Sequence, residues 1–589
     1  MGSYERYLYW LENEYFDIET RAELAKIGNK PKEIEDRFYK DLEFGTGGLR
    51  GIIGAGTNRM NVYTVRKASQ GLADHVAKRG EDAKMRGIVI AYDSRYRSQE
   101  FALEAARVFA GNGIRAYLFD ELKPTPELSF AVRLLHAVFG IVITASHNPR
   151  EYNGYKVYGE DGAQLPPKVT GLILEEINGI TDITRVKLIE KEAAVCTGLL
   201  KIIGKEIDDE YISKLKALCV DGSIVKRISE PLKIVYTPLH GAGNKLVRRI
   251  LAETGFSHVS VVKKQELPDG GFPYAGPSPN PEEKGVFKYA VKMARSEDAD
   301  LIIGTDPDCD RMGVMARKSK GRYVMLTGNQ VGALLMEYIL SHKKEQFPLP
   351  QNAFVVKTIV TTELARAIAN YYNVRIYDVL TGFKYIGEII GEKEDLKGDK
   401  FLLGFEDSCG FLTGTDVRDK DGVLAAMLIA ETAAHYKREG MSLYEGLQSI
   451  YEKYGFYSGD MNYFTLRGKE GLDRIKYIMS RIRNDACKIL DNIDIIAVRD
   501  YLEQARHDLR TGKKETLNLP KSDALFFEIN DGSWFCIRPS GTEPKVKVYF
   551  EACDRNMKLA EKRLRCLQKN ILRKIRGLCR ESSLRKREG

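Results

Sequence analysis

Short apolar runs and amphipathic stretches follow one another in a recurring order over most of this chain, and the order predicts an α/β architecture. Residues 87–92 (GIVIAY) read as a strand, 98–111 as an amphipathic helix and 115–119 as a second strand. The same order returns at 232–236, 244–253 and 259–262, and again at 354–358, 362–372 and 375–379. Each set is followed by a further apolar run that ends in a polar loop: 138–143 before Ser146-His147, 301–304 before Asp306 to Asp310, and the run that ends in Gly404-Phe405-Glu406-Asp407-Ser408-Cys409-Gly410. Strand–helix–strand alternation argues for three similar αβα domains with mixed, mostly parallel sheets. Loops at corresponding strand ends can then converge on one central cleft. From about residue 456 the pattern changes to helical stretches with two strands, 534–537 and 546–550, flanking a turn, which reads as a C-terminal α+β domain. The expected domains are therefore 1–215, 216–328, 329–455 and 456–589.

Composition narrows the class. A chain of 589 residues with 43% hydrophobic positions can bury several cores. No apolar run approaches the roughly 18 residues of a membrane span, and nothing resembles a signal peptide. The nine cysteines are odd in number and scattered without a CxxC pair, as expected of reduced thiols in a cytoplasm. The net charge of +9 sits in the tail: residues 554–589 hold 13 Lys/Arg against 4 Asp/Glu. Leu564, Leu567, Ile571, Ile575 and Leu578 recur there at helical spacing, so the tail reads as an amphipathic helix with a basic, solvated outer face. It lacks the aromatic interleaving of a nucleic-acid module.

Four loops carry candidate chemistry. Thr144-Ala145-Ser146-His147-Asn148-Pro149 sets a serine hydroxyl beside an imidazole in a turn that Asn-Pro prevents from continuing as regular structure. Ser146 there is a nucleophile, a phosphate carrier or a turn-former. Asp306-Pro307-Asp308-Cys309-Asp310-Arg311 places three carboxylates at alternate positions, a set suited to a hard cation such as Mg²⁺. An EF-hand loop also begins D-x-D-x-D, but it needs Gly sixth and Glu twelfth, where this chain has Arg311 and Arg317. Arg538-Pro539-Ser540-Gly541-Thr542 joins a guanidinium, two hydroxyls and a glycine, the parts of a phosphate grip or of an ordinary hairpin. The fourth loop is Glu406-Asp407-Ser408.

Together, and in this order, these loops resemble the α-D-phosphohexomutase superfamily, with Asn153-Gly154-Tyr155-Lys156 downstream of the serine and Gly45-Thr46-Gly47-Gly48-Leu49-Arg50-Gly51 upstream. The likeness is greatest to bacterial phosphoglucomutases of a group that also holds phosphopentomutases and glucose-1,6-bisphosphate synthases. The resemblance implies a phosphorylated Ser146 held on Mg²⁺ by Asp306, Asp308 and Asp310. Its phosphoryl group would pass to glucose 1-phosphate or glucose 6-phosphate through a glucose 1,6-bisphosphate intermediate. It implies Arg50 facing the phosphoserine and Arg311 offsetting charge on the moving group, with His147 and Lys156 as proton-transfer candidates. It implies Glu406 and Ser408 on the sugar hydroxyls, Lys384 (in Thr381-Gly382-Phe383-Lys384) as a further substrate contact, and Arg538, Ser540, Gly541 and Thr542 on the phosphate that is not reacting.

Other readings stay open at this point. Phosphopentomutase, phosphomannomutase and hexose-bisphosphate synthase use the same loops. A metal-dependent sugar phosphatase would use the serine and aspartates but has no need of the Arg538 loop. A nucleic-acid-binding protein would leave all four loops unexplained. The expected partners are phosphosugars, with neither membrane nor nucleic acid, for a cytoplasmic monomer or homodimer.

Overall fold

The computed structural model describes residues 1–45, 48–346, 348–466, 468–489, 493–540 and 545–584. It divides into two compact units, 1–355 with 383–446 and 356–382 with 447–589.

In the first unit a seven-stranded sheet has the order β1-β2-β6-β5-β3-β4-β7. Its strands are β1 (Phe44–Gly45), β2 (Gly48–Ile52), β3 (Ile88–Tyr92), β4 (Ala116–Phe119), β5 (Phe139–Ile143), β6 (Tyr152–Gly159) and β7 (Leu200–Ile203). β3 pairs parallel to β4 and β5, and β4 parallel to β7. All five residues of β3 and of β5 are buried. Helices Ser98–Gly111 and Thr125–Leu134 pack on these strands, and a strand covered on both faces reads as an unbroken apolar run rather than an alternation. Each such Ile, Val or Phe contributes about 1.5–3 kcal/mol.

A five-stranded sheet follows, in the order β12-β11-β10-β8-β9. It is built from β8 (Ile234–Thr237), β9 (Val259–Val261), β10 (Leu301–Thr305), β11 (Met312–Ser319) and β12 (Arg322–Leu326). The third repeat supplies β13 (Ala353–Thr358), helix Leu364–Tyr372, β14 (Arg375–Val379), β15 (Lys400–Glu406) and β16 (Gly410–Leu412). The predicted strands and helices of all three repeats are present, most within one or two residues. What the pattern did not predict is the antiparallel strand after each site loop: β6 after β5, β11 after β10 and β16 after β15. β6 escaped because Asn153, Gly154 and Lys156 interrupt its buried Tyr155, Val157 and Tyr158, leaving neither an unbroken apolar run nor a clean alternation.

The second unit holds a seven-stranded antiparallel sheet with the order β17-β23-β22-β21-β18-β19-β20. Its strands are β17 (Phe456–Thr465), β18 (Ile495–Asp500), β19 (Ala505–Asp508), β20 (Lys514–Thr516), β21 (Leu525–Ile529), β22 (Trp534–Pro539) and β23 (Lys545–Asp554). The C-terminal helix Met557–Leu584 packs on β17 and β23 through Leu564, Leu567, Ile571, Ile575 and Leu578. Among the described residues no helix is long and apolar enough to cross a membrane.

Candidate active site

In each of the three repeats the loop after the third strand turns through one left-handed residue that is not glycine: Ser146 (φ 52°), Cys309 (φ 52°) and Cys409 (φ 60°). Such a conformation is costly for most side chains and persists only where surrounding contacts enforce it. Around Ser146 those contacts are explicit. Asn148 N donates to the Ala145 carbonyl at 3.1 Å, closing a turn, and Ser146 N donates to Thr144 Oγ1 at 2.7 Å. Thr144 Oγ1 in turn donates to Asp93 Oδ2 at 2.6 Å. The guanidinium of Arg95 then gathers the loop carbonyls, reaching Ser146 at 2.6 Å, Pro149 at 2.9 Å and Tyr152 at 3.0 Å, with Asn148 as a fourth acceptor.

The aspartate loop approaches from the second repeat. Pro307 occupies the second position of a turn closed by Cys309 N to the Asp306 carbonyl at 2.9 Å. Ser146 Oγ donates to Asp306 Oδ2 at 2.8 Å across 160 residues of sequence, and His147 Nδ1 lies 3.1 Å from the same Oγ. Lys156 Nζ donates to Asp308 Oδ2 at 2.7 Å and lies 3.4 Å from Asp310 Oδ2. The Arg311 amide donates to Asp306 Oδ1 at 3.0 Å, while its guanidinium donates to Glu282 at 3.1 Å. Arg50, opposite Gly154 in the β2–β6 ladder, donates to Asn148 Oδ1 at 3.0 Å. A side chain at Gly154 would meet the Thr144 carbonyl at 2.5 Å, so the serine loop can lie against the strand only with glycine there.

The charges form a dense buried cluster. One oxygen from each of Asp306, Asp308 and Asp310 lies within 4.8 Å of the others, and all three residues are buried. Burial, then Asp308 and Asp310, push the Asp306 carboxyl well above the usual carboxylate range. Asp310 goes the other way: burial opposes its charge, but Lys420, Lys156 and Arg311 together outweigh burial and hold it far down. Burial likewise opposes the Lys156 cation, and Asp308 and Asp310 prevail to raise it. His147 is depressed well below the ordinary histidine range by burial and then by Arg311 and Arg50, which favours a neutral ring. Oδ1 of Asp308 and Oδ1 of Asp310 are buried without a hydrogen-bond donor. Two undonated carboxylate oxygens in a cluster of three are what a bound cation satisfies, so the residues present fit a metal held by oxygen ligands alone.

Glu406 is buried at the end of β15, among the charges that act on Arg311 and Lys420, and Ser408 is half-buried in the turn before β16. Met312 N donates to the Cys409 carbonyl at 3.0 Å, knitting this turn to the aspartate loop. Cys309 and Cys409 are both buried. Lys384, on helix Phe383–Ile390, lies over the Tyr385 ring and is lowered by burial; among the described contacts it reaches neither Ser146 nor the aspartates. In the second unit Arg538 lies next to the end of β22 and approaches Tyr549 Oη at 3.4 Å, and Ser540 N donates to the Lys545 carbonyl at 2.8 Å. Gly541 and Thr542 lie outside the described residues.

Four contributors had no place in the sequence reading. Asp93 and Arg95 follow β3, and a charged pair at the carboxyl end of a parallel strand was the available signal. Thr125, first residue of helix Thr125–Leu134, donates through Oγ1 to Asp308 Oδ2 at 3.0 Å and through its amide to the Asp308 carbonyl at 2.8 Å. Lys420 lies 3.3 Å from Asp310 Oδ2 and donates to Asp419 at 2.9 Å; its signal was the Arg418-Asp419-Lys420-Asp421 run.

Repeated αβα units that bring a serine hydroxyl, a carboxylate triad and several cations to one point define a phosphoryl-transfer enzyme. Four family models match in order: phosphoglucomutase/phosphomannomutase alpha/beta/alpha domains I (residues 41–184), II (209–321) and III (327–454), and the C-terminal domain (487–562). A phosphoglucomutase of Staphylococcus saprophyticus is 37% identical over 548 residues, 92% of this chain and 95% of that protein. A phosphoglucomutase of Staphylococcus epidermidis is 35% identical over 94% of this chain and 98% of its own. The fold is similar to the open form of the Paramecium phosphoglucomutase parafusin, with TM-score 0.67 and 17% identity over 91% of this chain and 95% of that one. The chain belongs to the phosphoglucomutase/phosphomannomutase family. It is an enzyme, a phosphotransferase mutase.

Proposed function

We propose that this chain interconverts glucose 1-phosphate and glucose 6-phosphate, with Ser146 as the phosphoryl carrier and glucose 1,6-bisphosphate as both intermediate and activator. The observation that carries this reading is the 2.8 Å approach of Ser146 Oγ to Asp306 inside the carboxylate triad. Asp306, Asp308 and Asp310, with a phosphoryl oxygen on Ser146, would hold Mg²⁺, a hard ion that suits a few carboxylates shared with phosphate. When bound, the cation offsets negative charge on the transferring group.

The placement of the side chains supports a role for each. Arg95 and Thr144 fix the serine turn, so that the phosphoryl group stands in one orientation; positioning of this kind can supply much of the rate. Arg50 is aimed at the same turn through Asn148. The neutral His147 ring is within hydrogen-bond reach of Oγ and can hold or return its proton. Lys156 stays protonated between Asp308 and Asp310, which suits an orienting cation better than a base. Arg311 adds positive charge beside the triad. Glu406, Ser408 and Lys384 are assigned to the sugar, and Arg538, Ser540, Gly541 and Thr542 to phosphate binding in the second unit. Domain limits at 215, 328 and 455 accompany this reading. So do a cytoplasmic compartment, in keeping with the absence of disulfides among the described cysteines, and a monomeric or homodimeric state.

A coupled assay comparing glucose 1-phosphate, mannose 1-phosphate and ribose 1-phosphate, with and without a trace of hexose 1,6-bisphosphate, tests the substrate and the activator. Preference for mannose or ribose moves the reading to phosphomannomutase or phosphopentomutase. Inorganic phosphate as the main product moves it to a phosphatase.

A further inference from the structure

One arc of the outward face of the C-terminal helix Met557–Leu584 carries cations alone. At about 100° per residue, Lys558, Lys562, Arg565, Lys569, Arg573, Arg576 and Arg580 fall within an arc of about 80°. Between 558 and 580 every position on that arc is Lys or Arg, and all seven are exposed. The buried stripe of Leu564, Leu567, Ile571, Ile575 and Leu578 occupies the opposite side. At 1.5 Å per residue the basic row is about 33 Å long.

A helix face that merely faces water normally mixes signs, because opposite charges three or four residues apart support one another and like charges repel. Here Glu561 reaches Arg565 at 3.4 Å, and the other six cations form no ion pair among the described residues. Five of the seven lie beyond residue 562, where the match to the family's C-terminal domain ends. An extended anionic partner would relieve the self-repulsion of such a row.

We propose that this face docks reversibly on an anionic phospholipid bilayer. Shape selects that partner. A straight, convex ridge can present all seven cations at once to a plane of headgroup phosphates, whereas the phosphates of a duplex wind away from a straight row. Single-stranded nucleic acid is bound in charged grooves with aromatic side chains that stack the bases, and this arc has neither groove nor aromatic residue. The apolar face of the helix is committed to the protein core, so the contact is electrostatic, at headgroup level, with no insertion. A peripheral contact of this kind would revise the expectation of no membrane partner. This inference does not depend on the mutase reading.

The test is co-sedimentation of the full chain with vesicles of about 30% phosphatidylglycerol in phosphatidylcholine at low salt, with pure phosphatidylcholine vesicles and a single-stranded RNA as comparisons. The protein should sediment with the anionic vesicles and be released at about 0.5 M salt. Each cation near such a surface is worth about fivefold, so a variant carrying Lys569→Gln, Arg573→Gln, Arg576→Gln and Arg580→Gln should bind several hundredfold more weakly. Its thermal midpoint and mutase rate in free solution should be unchanged. Equal sedimentation with neutral vesicles, undiminished binding of the variant, or retention on RNA without vesicle binding at the same salt each overturns the proposal.

Discussion

Arg95 donates to the Ser146 carbonyl at 2.6 Å while its own Nε lies 3.4 Å from Asp93, both side chains being fully buried. One guanidinium thus anchors the turn that presents Ser146. Arg95→Leu would leave Asp93 buried and unpaired, at a cost of about 3–5 kcal/mol in stability. Arg95→Lys keeps the charge but loses the planar fork that spans several carbonyls. We expect the Lys variant to fold and to lose about 100-fold in kcat with little change in KM. Unfolding curves with steady-state kinetics check both, and a Lys variant of normal kcat would remove Arg95 from the positioning role.

Ser146→Ala deletes the group assigned to carry phosphoryl. The variant should lose at least about a thousandfold in kcat, equivalent to about 4 kcal/mol of barrier. Intact-mass analysis should find one phosphoryl group on part of the wild-type protein and none on the variant. Near-normal turnover of the variant would end the assignment.

Asp308 ties together Lys156, Thr125 and the carboxylate triad. Asp308→Asn removes one of three charges, which weakens Mg²⁺ and misplaces the phosphoryl group. We predict a large fall in kcat that excess Mg²⁺ rescues only in part, and loss of wild-type activity in EDTA. Full activity in EDTA would show that the triad serves another purpose.

Arg538 is assigned to phosphate through a bidentate geometry that lysine lacks. Arg538→Ala should lower kcat/KM by about 10- to 1000-fold, roughly 1.4 to 4 kcal/mol, with Arg538→Lys also impaired. Ser146 should still accept phosphoryl from a bisphosphate, and more bisphosphate should be released per turnover. Unchanged kcat/KM would refute the grip.

Glu431, on helix Gly422–Arg438, accepts from the amides of Val220 and Asp221 at 3.2 and 3.0 Å, and burial raises its carboxyl to about 7 from 4.5. Between those values the folded chain binds a proton that the unfolded chain releases. The stability linked to this group is therefore full below about pH 4.5 and is lost as pH rises through about 7, an effect of about 3 kcal/mol. Denaturant unfolding from pH 5 to 8 should fall less steeply with pH for Glu431→Gln than for wild type. Identical slopes would show that Glu431 does not titrate in this range.

The loops bearing Ser146, Asp306 to Asp310 and Glu406 were legible because each follows an apolar run and holds residues whose chemistry is unusual in a turn. Lys156 was legible only through family resemblance, since its strand β6 shows no alternation. Lys384 was proposed from family resemblance alone, and the contact described for it is with the Tyr385 ring.

By itself the sequence determined the order of strands and helices in the three repeats and the chemical character of the loops between them. Both arise from local periodicity and from side chains near in the chain, so a short window contains the information. Only the tertiary structure decided that Thr125 meets Asp308 across 183 residues and that Arg95 secures the serine turn. It also decided that Asp306 and Asp310, four positions apart, are driven in opposite directions. Those outcomes depend on burial and on distances to charges from other elements, quantities that come into being when the sheets assemble.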